Sequence, residues 1–278
     1  MNKKNYFLIV CVFLLTATYS SVYAAKEKGN GILVTKEIQV DDFNSIRMGP
    51  GIECNSKFFN RSSYENPVFN YEQSSGKATL SITIDENLFP LLKINTSGNE
   101  LSIETSRGTS INPSKLEIKG SSKNLRKVSV SGCVDLVFTN KFEADLLNIQ
   151  ISGACDVRMN KQARIGQLEI RISGAGDLVA DNLVCKEVDI NVSGAGDITM
   201  KGEADNAQFT VTGAGDIKAY DFIVKDLVCR VSGSGDVKAN ASGTLDASVS
   251  GTGDILYKGS ARANTRITGF GDIRKMGD

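Results

Sequence analysis

A seven-residue phrase recurs eight times through the second half of the chain and constrains its fold more than any other feature. Ile172-Ser173-Gly174-Ala175-Gly176-Asp177-Leu178 shows the full form: an aliphatic residue, Ser or Thr, Gly, a variable residue, Gly, Asp and a second aliphatic residue. Two N-terminal copies relax the second Gly. The copies end on Asp135, Asp156, Asp177, Asp197, Asp216, Asp236, Asp254 and Asp272, spaced 21, 21, 20, 19, 20, 18 and 18 residues apart. A period near 20 residues, sustained over half the chain, predicts a stack of units, each burying its apolar face only against its neighbours.

The columns of the repeat identify the local conformation. Five residues before each Asp stand Val130, Ile151, Ile172, Val192, Val211, Val231, Val249 and Ile267. One residue after it stand Leu136, Val157, Leu178, Ile198, Ile217, Val237, Ile255 and Ile273. Both columns are aliphatic and mostly β-branched, as strand interiors prefer. Six residues before the Asp every position is polar, so inward and outward positions alternate with strand period. Gly fills the third place of every copy, including Gly174, Gly194, Gly213 and Gly233. That column reads as a tight corner, because Gly tolerates both positive φ and close backbone approach.

Two architectures place a corner every twenty residues: a parallel β-helix with one corner per rung, or an antiparallel array with the phrases as hairpin tips. Position-for-position recurrence of one corner favours stacked rungs. The predicted fold is therefore all-β: a right-handed parallel β-helix-like solenoid with about 20 residues per rung, preceded by a strand-rich N-terminal part.

The expected organisation has three parts. Residues 1–24 read as a signal peptide: basic Lys3 and Lys4, an apolar run from Phe7 to Ala17, and small-residue cleavage after Val22-Tyr23-Ala24. The apolar run is shorter than the roughly 20 residues of a spanning helix, and no later segment predicts a transmembrane helix in the mature chain. Bulky Val10 before Cys11 argues against lipidation there. The chain is expected to be exported, to the periplasm, the outer surface or the medium.

Residues 25–115 form the strand-rich part, and residues 116–278 the repeat region with eight Gly-Asp corners. Within the former, Leu80–Ile84 alternates as a half-buried strand. Lys93-Ile94-Asn95 and Leu101-Ser102-Ile103 predict a hairpin around Gly98. Ile46-Arg47-Met48-Gly49-Pro50-Gly51-Ile52 is a loose copy of the phrase, and Asn60–Lys77 reads as an exposed loop.

Composition excludes several functions. The 32 basic and 32 acidic residues of the chain become 30 and 32 without Lys3 and Lys4, which predicts no nucleic-acid partner. No His is present, so Ser-His and Cys-His catalysis are impossible. Polysaccharide cleavage requires a carboxylate pair, commonly with aromatic platforms, but Trp is absent and no singular carboxylate cluster interrupts the repeats. No catalytic residue and no cofactor are expected. The cysteines after residue 24 are Cys54, Cys133, Cys155, Cys185 and Cys229, an odd number with no zinc spacing. Cys229 occupies an aliphatic column and reads as a core residue. Cys133 and Cys155, in consecutive corners, are a candidate disulfide in an oxidising compartment.

The Asp column is the remaining site candidate. Asp177, Asp197, Asp216 and Asp236, with Gly174, Gly194, Gly213 and Gly233, are read as structural turn residues, each carboxylate accepting backbone N–H groups of its own turn. Asp177, Asp197 and Asp216 are also weak candidates for a cation ladder.

The Ile46–Ile52 segment, Leu101-Ser102-Ile103 and the Ser-Gly-Ala-Gly-Asp repeats, together with the signal peptide, resemble the bacterial head GIN domain family, described as "putative auto-transporter adhesins" and common in Bacteroidetes. The resemblance covers most of residues 34–278. It implies a β-helix-like fold and an exported, surface-associated protein without catalytic residues. Only six residues follow Asp272, so no translocator barrel is expected after the repeats. The function expected is a noncatalytic exported binding or adhesion module, for a surface glycan or protein ligand that the sequence does not name. The alternatives are a polysaccharide-active β-helix lyase or hydrolase, or a purely structural envelope protein.

Overall fold

From Lys127 onward the chain winds as a parallel β-solenoid. The computed structural model describes residues 25–54 and 66–277. The signal segment and Cys11 lie outside the described residues. Each circuit contributes three stretches, which we term faces A, B and C. On face A, residues 188–192 pair in parallel with 168–172 and 207–211. On face B, residues 198–199 lie between 178–179 and 217–218. On face C, residues 183–185 lie between 163–165 and 202–204. The described residues contain no α-helix, only one short 3-10 turn at Phe89–Leu91. The antiparallel alternative for the repeats is excluded, because every pairing between them is parallel.

Like residues stack over like. One interior column of face A runs Ile46, Val128, Ile149, Ile170, Ile190, Phe209, Cys229 and Ala247. All eight are essentially inaccessible. The largest member, Phe209, sits next to the small Cys229, so side-chain size varies along a column whose members are all buried. Cys229 is thus the core residue its column predicts, and burial pushes its thiol pKa far up. Strands such as Leu178–Val192 and Ile217–Val231 continue from face B through C to A by bending. The chain leaves strand geometry at the Ser-Gly-x-Gly-Asp corner.

Of the two causes expected for the corner glycines, close backbone approach holds and positive φ does not. Among described residues, positive φ occurs at Gly31, Gly51, Gly98, Gly108, Gly202 and Gly259, and at Asn99. None belongs to the eight Gly-Asp corners, and Gly51 lies in the loose N-terminal copy. A Cβ on Gly194 would instead be driven into the carbonyl oxygen of Gly174, one rung below. One on Gly213 would meet the carbonyl of Gly194, and Gly174 and Gly233 repeat the arrangement. Both Gly columns are therefore imposed by backbone stacked directly on backbone. Rung spacing near 4.8 Å leaves no room for a side chain pointing along the solenoid axis.

The N-terminal rungs are stacked out of chain order. Ser45–Met48 lies between Glu100–Thr105 and Lys127–Val130, with Ile46 opposite both Leu101 and Val128. Val68–Gln73 lies between Leu116–Ser122 and Asp135–Phe138. The rung that includes Glu100–Thr105 and Leu116–Ser122 thus sits beneath the strands Ser45–Met48 and Val68–Gln73. The Ile46–Ile52 phrase occupies the register its resemblance predicts, since a Cβ on Gly132 would meet the carbonyl of Gly49. Antiparallel strands close this end. Leu92–Ser97 covers Glu100–Thr105, and Thr79–Asp85 covers Leu116–Ser122 and is itself covered by Leu33–Ile38. The predicted hairpin is present, with Gly98 and Asn99 at positive φ in a two-residue turn.

Two expectations are corrected. The segment read as an exposed loop from Asn60 to Lys77 contains the core strand Val68–Gln73, whose Phe69 and Tyr71 are fully buried; residues 55–65 lie outside the described residues. Tyr71 packs edge-on against Phe138 and Phe142, and its hydroxyl donates to the Ser122 carbonyl at 3.1 Å. The alternation Val-Phe-Asn-Tyr carries the strand signal, but the polar residues around it obscured that signal. The second correction concerns the disulfide, which joins Cys54 to Cys133 across a Cα–Cα distance of 5.3 Å. Cys155 is free and buried. Cys133 lies two residues before its Asp and Cys155 one, so they occupy different columns. The rung beneath Cys133 presents Cys54.

Candidate functional site

The Asp column forms a continuous ladder. Asp156 N–H donates to Asp135 Oδ1, and the pattern repeats from Asp177 to Asp156, Asp197 to Asp177, Asp216 to Asp197, Asp236 to Asp216, Asp254 to Asp236 and Asp272 to Asp254, at 2.8–3.2 Å. Each carboxylate therefore holds the next rung rather than its own turn. Asp272, on the last rung, accepts its own turn's Ile273 N–H at 3.1 Å. The preceding Ser column follows the same logic, with Ser173 and Ser193 hydroxyls donating to the carbonyls of Ile151 and Ile172 on the rung below at 3.4 Å.

Basic side chains two residues after selected Asp residues reduce repulsion in the ladder. Arg158 lies 3.5 Å from Asp135 and 2.9 Å from Asp156. Lys218 is 2.5 Å from Asp197 and 4.0 Å from Asp216. Arg274 bridges Asp254 and Asp272. Among the described residues no three His, Cys, Asp or Glu side chains converge as a metal-binding group. Burial alone would raise the pKa of Asp197, but the Lys218 ammonium and the Asp216 N–H outweigh it and hold the value below the usual carboxylate range.

If the ladder is structural, Asp197→Ala should lower stability by about 0.5–2 kcal/mol without any ligand, as loss of other side-chain caps does. Calcium and a chelator should leave the wild-type thermal midpoint unchanged. A saturable calcium-dependent rise in that midpoint, absent from the variant, would make the column a cation site.

A second carboxylate was not anticipated. Asp85 is fully buried and accepts Gly31 N–H at 2.7 Å, Ser114 N–H at 2.8 Å and the Ser114 hydroxyl at 2.6 Å. Burial would raise its pKa; the hydrogen bonds prevail and lower it. It ties the segment before Leu33 to the segment before Leu116, and a Cβ on Gly29 would collide with its carboxyl. Its donors are more than 25 residues away in sequence, so no local pattern reveals it. With the folded pKa depressed, its contribution is complete above the unfolded-state value near 4 and is lost as pH falls through the folded value. Asp85→Asn should therefore destabilise at pH 7 and flatten the acid limb of a stability–pH curve measured by urea melts. An acid limb identical to wild type would contradict this role.

A groove of about 820 Å³ runs along the bend between faces C and A. Two outward columns wall it: Leu146, Gln167, Glu187, Asn206, Asp226, Thr244 and Arg262 on one side; Glu169, Asp189, Gln208, Val228, Asp246 and Asn264 on the other. Between them Leu168, Val188, Leu227 and Leu245 point into the core and are buried. The floor is consequently main chain whose hydrogen bonds are already made between rungs. These columns lie ten and eight residues before each Asp, so their polar composition was visible in sequence. Their convergence on a concave bend was not.

The fold defines a protein class, an all-β solenoid built from Gly-Asp corners, and the comparisons place it in a family. The model described as "Putative auto-transporter adhesin, head GIN domain" matches residues 63–164 and 144–261, and the chain belongs to that family. Its structure is similar to that of a "putative lipid binding protein" from Parabacteroides distasonis, with 28% identity, a TM-score of 0.82, and coverage of 91% of this chain and 100% of that one. It is also similar to a "putative adhesin" from Parabacteroides merdae, with 29% identity, a TM-score of 0.80 and the same two coverages. No curated protein matches the chain.

Proposed function

We propose that the chain is a noncatalytic, exported adhesion module that presents a rigid solenoid surface to a ligand outside the cytoplasm. The observation that carries this reading is the near-uniform scaffold. In the repeat region outward positions fall in columns repeated rung after rung, and among the described residues no singular nucleophile–base or acid–base constellation departs from them. Family membership and the "putative adhesin" from Parabacteroides merdae support the same class. The Cys54–Cys133 disulfide is at home in an oxidising compartment, and no helix among the described residues is long and apolar enough to cross a membrane.

The expected result is saturable binding to at least one immobilised glycan or matrix protein, without turnover of soluble acidic or neutral polysaccharides. Metal-dependent depolymerisation abolished by one carboxylate substitution would replace this reading with an enzyme. An array returning no binding would favour a structural role.

A further inference from the structure

We infer that the groove between faces C and A is a binding cleft for an extended, basic polypeptide segment. The proposal rests on the adhesion-module reading and deepens it by naming the site and the chemistry of its partner.

Shape comes first. The walls extend over seven rungs, from Leu146 to Arg262, and at about 4.8 Å per rung they flank a straight trough on the order of 30 Å long. Such a trough suits an extended chain better than a compact ligand. Because the floor main chain is already paired, the occupant cannot join it as another strand. Recognition must come from the wall side chains.

Charge then selects the occupant. Five carboxylates line the groove, Glu169, Glu187, Asp189, Asp226 and Asp246, against one cationic side chain, Arg262. Glu169 is already engaged by Asn148 and Arg171. Glu187 accepts from Gln167 at 2.8 Å and Asp226 from Thr244 at 2.6 Å, both neutral donors that leave the charge in place. Asp189 and Asp246 make no ion pair or side-chain hydrogen bond among the described residues, and both are exposed. They stand on the same wall, three rungs apart, about 14 Å by the rung spacing. In an extended peptide, side chains on one face recur every 6.6–6.8 Å or so. Lys or Arg residues four positions apart would therefore meet Asp189 and Asp246 together.

The lining also weighs against the other ligand classes. It contains no aromatic side chain to stack on a sugar ring, and its negative walls repel anionic lipid head groups. The methyl groups of Leu146 and Val228, with the aliphatic stems of Gln167 and Gln208, match the apolar stems of Lys and Arg.

A fluorescent 20-residue poly-L-lysine peptide, titrated against the full chain by anisotropy, tests the proposal. Saturable binding that weakens with salt is expected, reduced at least 10-fold in Asp189→Asn/Asp246→Asn with the thermal midpoint within a few degrees of wild type. Glu37→Gln/Glu72→Gln removes the same charge outside the groove and should change the affinity less than 2-fold. Equal loss in both double variants would reduce the effect to net charge and overturn the proposal, as would no binding by the wild-type chain. Dextran oligosaccharides and phosphatidylglycerol vesicles form the parallel arms. Binding of either one that the groove variant abolishes would overturn the peptide assignment while leaving the adhesion-module reading standing. Failure of that broader reading would appear separately, as depolymerisation or an empty glycan and matrix-protein array.

Discussion

Gly194→Val is expected to lower stability by about 3 kcal/mol or to prevent folding, a cost at the upper end for overpacking a tightly packed site. The new Cβ would enter the space of the Gly174 carbonyl oxygen and of the Ser173 carbonyl group, all main-chain atoms held by pairing on both sides. A flexible neighbouring side chain could swing away. A rung backbone can yield only by parting from the rung above or below it. Gly194→Ala already carries the offending Cβ, so it serves as the measurable variant if the valine protein does not fold, and should lose at least 1 kcal/mol. Ala195 is exposed, so Ala195→Val should change stability by less than about 0.5 kcal/mol. Urea or thermal melts decide the matter. A Gly194→Ala midpoint equal to wild type would mean that the rungs are not in contact at this corner.

The second large effect concerns the disulfide. Cys54 and Cys133 are separated by 79 residues, and their bond closes a loop that includes the rung inserted beneath Ser45–Met48 and Val68–Gln73. In the chain-entropy treatment a loop of that length is worth about 4.5 kcal/mol, with about 2–4 kcal/mol typical of measured disulfides. Cys54→Ala/Cys133→Ala should therefore lower the thermal midpoint by about 10 °C, using the dependence for domains of 150–250 residues. The loss should fall on the N-terminal rungs, detected as faster amide exchange at residues 100–122 than at residues 198–231. Addition of a reductant should reproduce the shift in wild type and leave the double variant unchanged. Cys155 and Cys185 should remain unreactive in the folded protein. Burial raises both thiol pKa values, that of Cys185 to about 12, which suppresses the thiolate. An unchanged midpoint in the double variant would show that the bond merely decorates contacts sufficient without it.

Much of the repeat region was legible because its determinants are local and repeated. The aliphatic columns flanking each Asp demand strand alternation, and the constant spacing demands that equivalent positions share a register. The observed pairing of Ile149 with Ile170 and of Ile170 with Ile190 is that register. Gly98-Asn99 between two alternating stretches specified a hairpin for the same reason: turn chemistry acts over four residues. The glycine columns were located, but the sequence leaves open the choice between their two causes. A sequence shows that a side chain is forbidden, but positive φ and an obstructing neighbour both forbid it. Only the carbonyl of the rung below distinguishes them. The Asp column was likewise located, while the direction of its hydrogen bonds depended on having a rung above to donate the N–H.

The sequence by itself determined the solenoid, its period, its inward and outward columns and the absence of histidine chemistry, because these follow from residue type at fixed spacing. Tertiary structure alone decided that residues 100–122 stack beneath Ser45–Met48 and Val68–Gln73, that Cys133 meets Cys54 rather than Cys155, that Asp85 is held by Gly31 and Ser114, and that two polar columns converge on a concave bend. Each of these depends on segments brought together over long chain separations. There the outcome is set by competition among whole-rung packings, which the preferences of neighbouring residues do not encode.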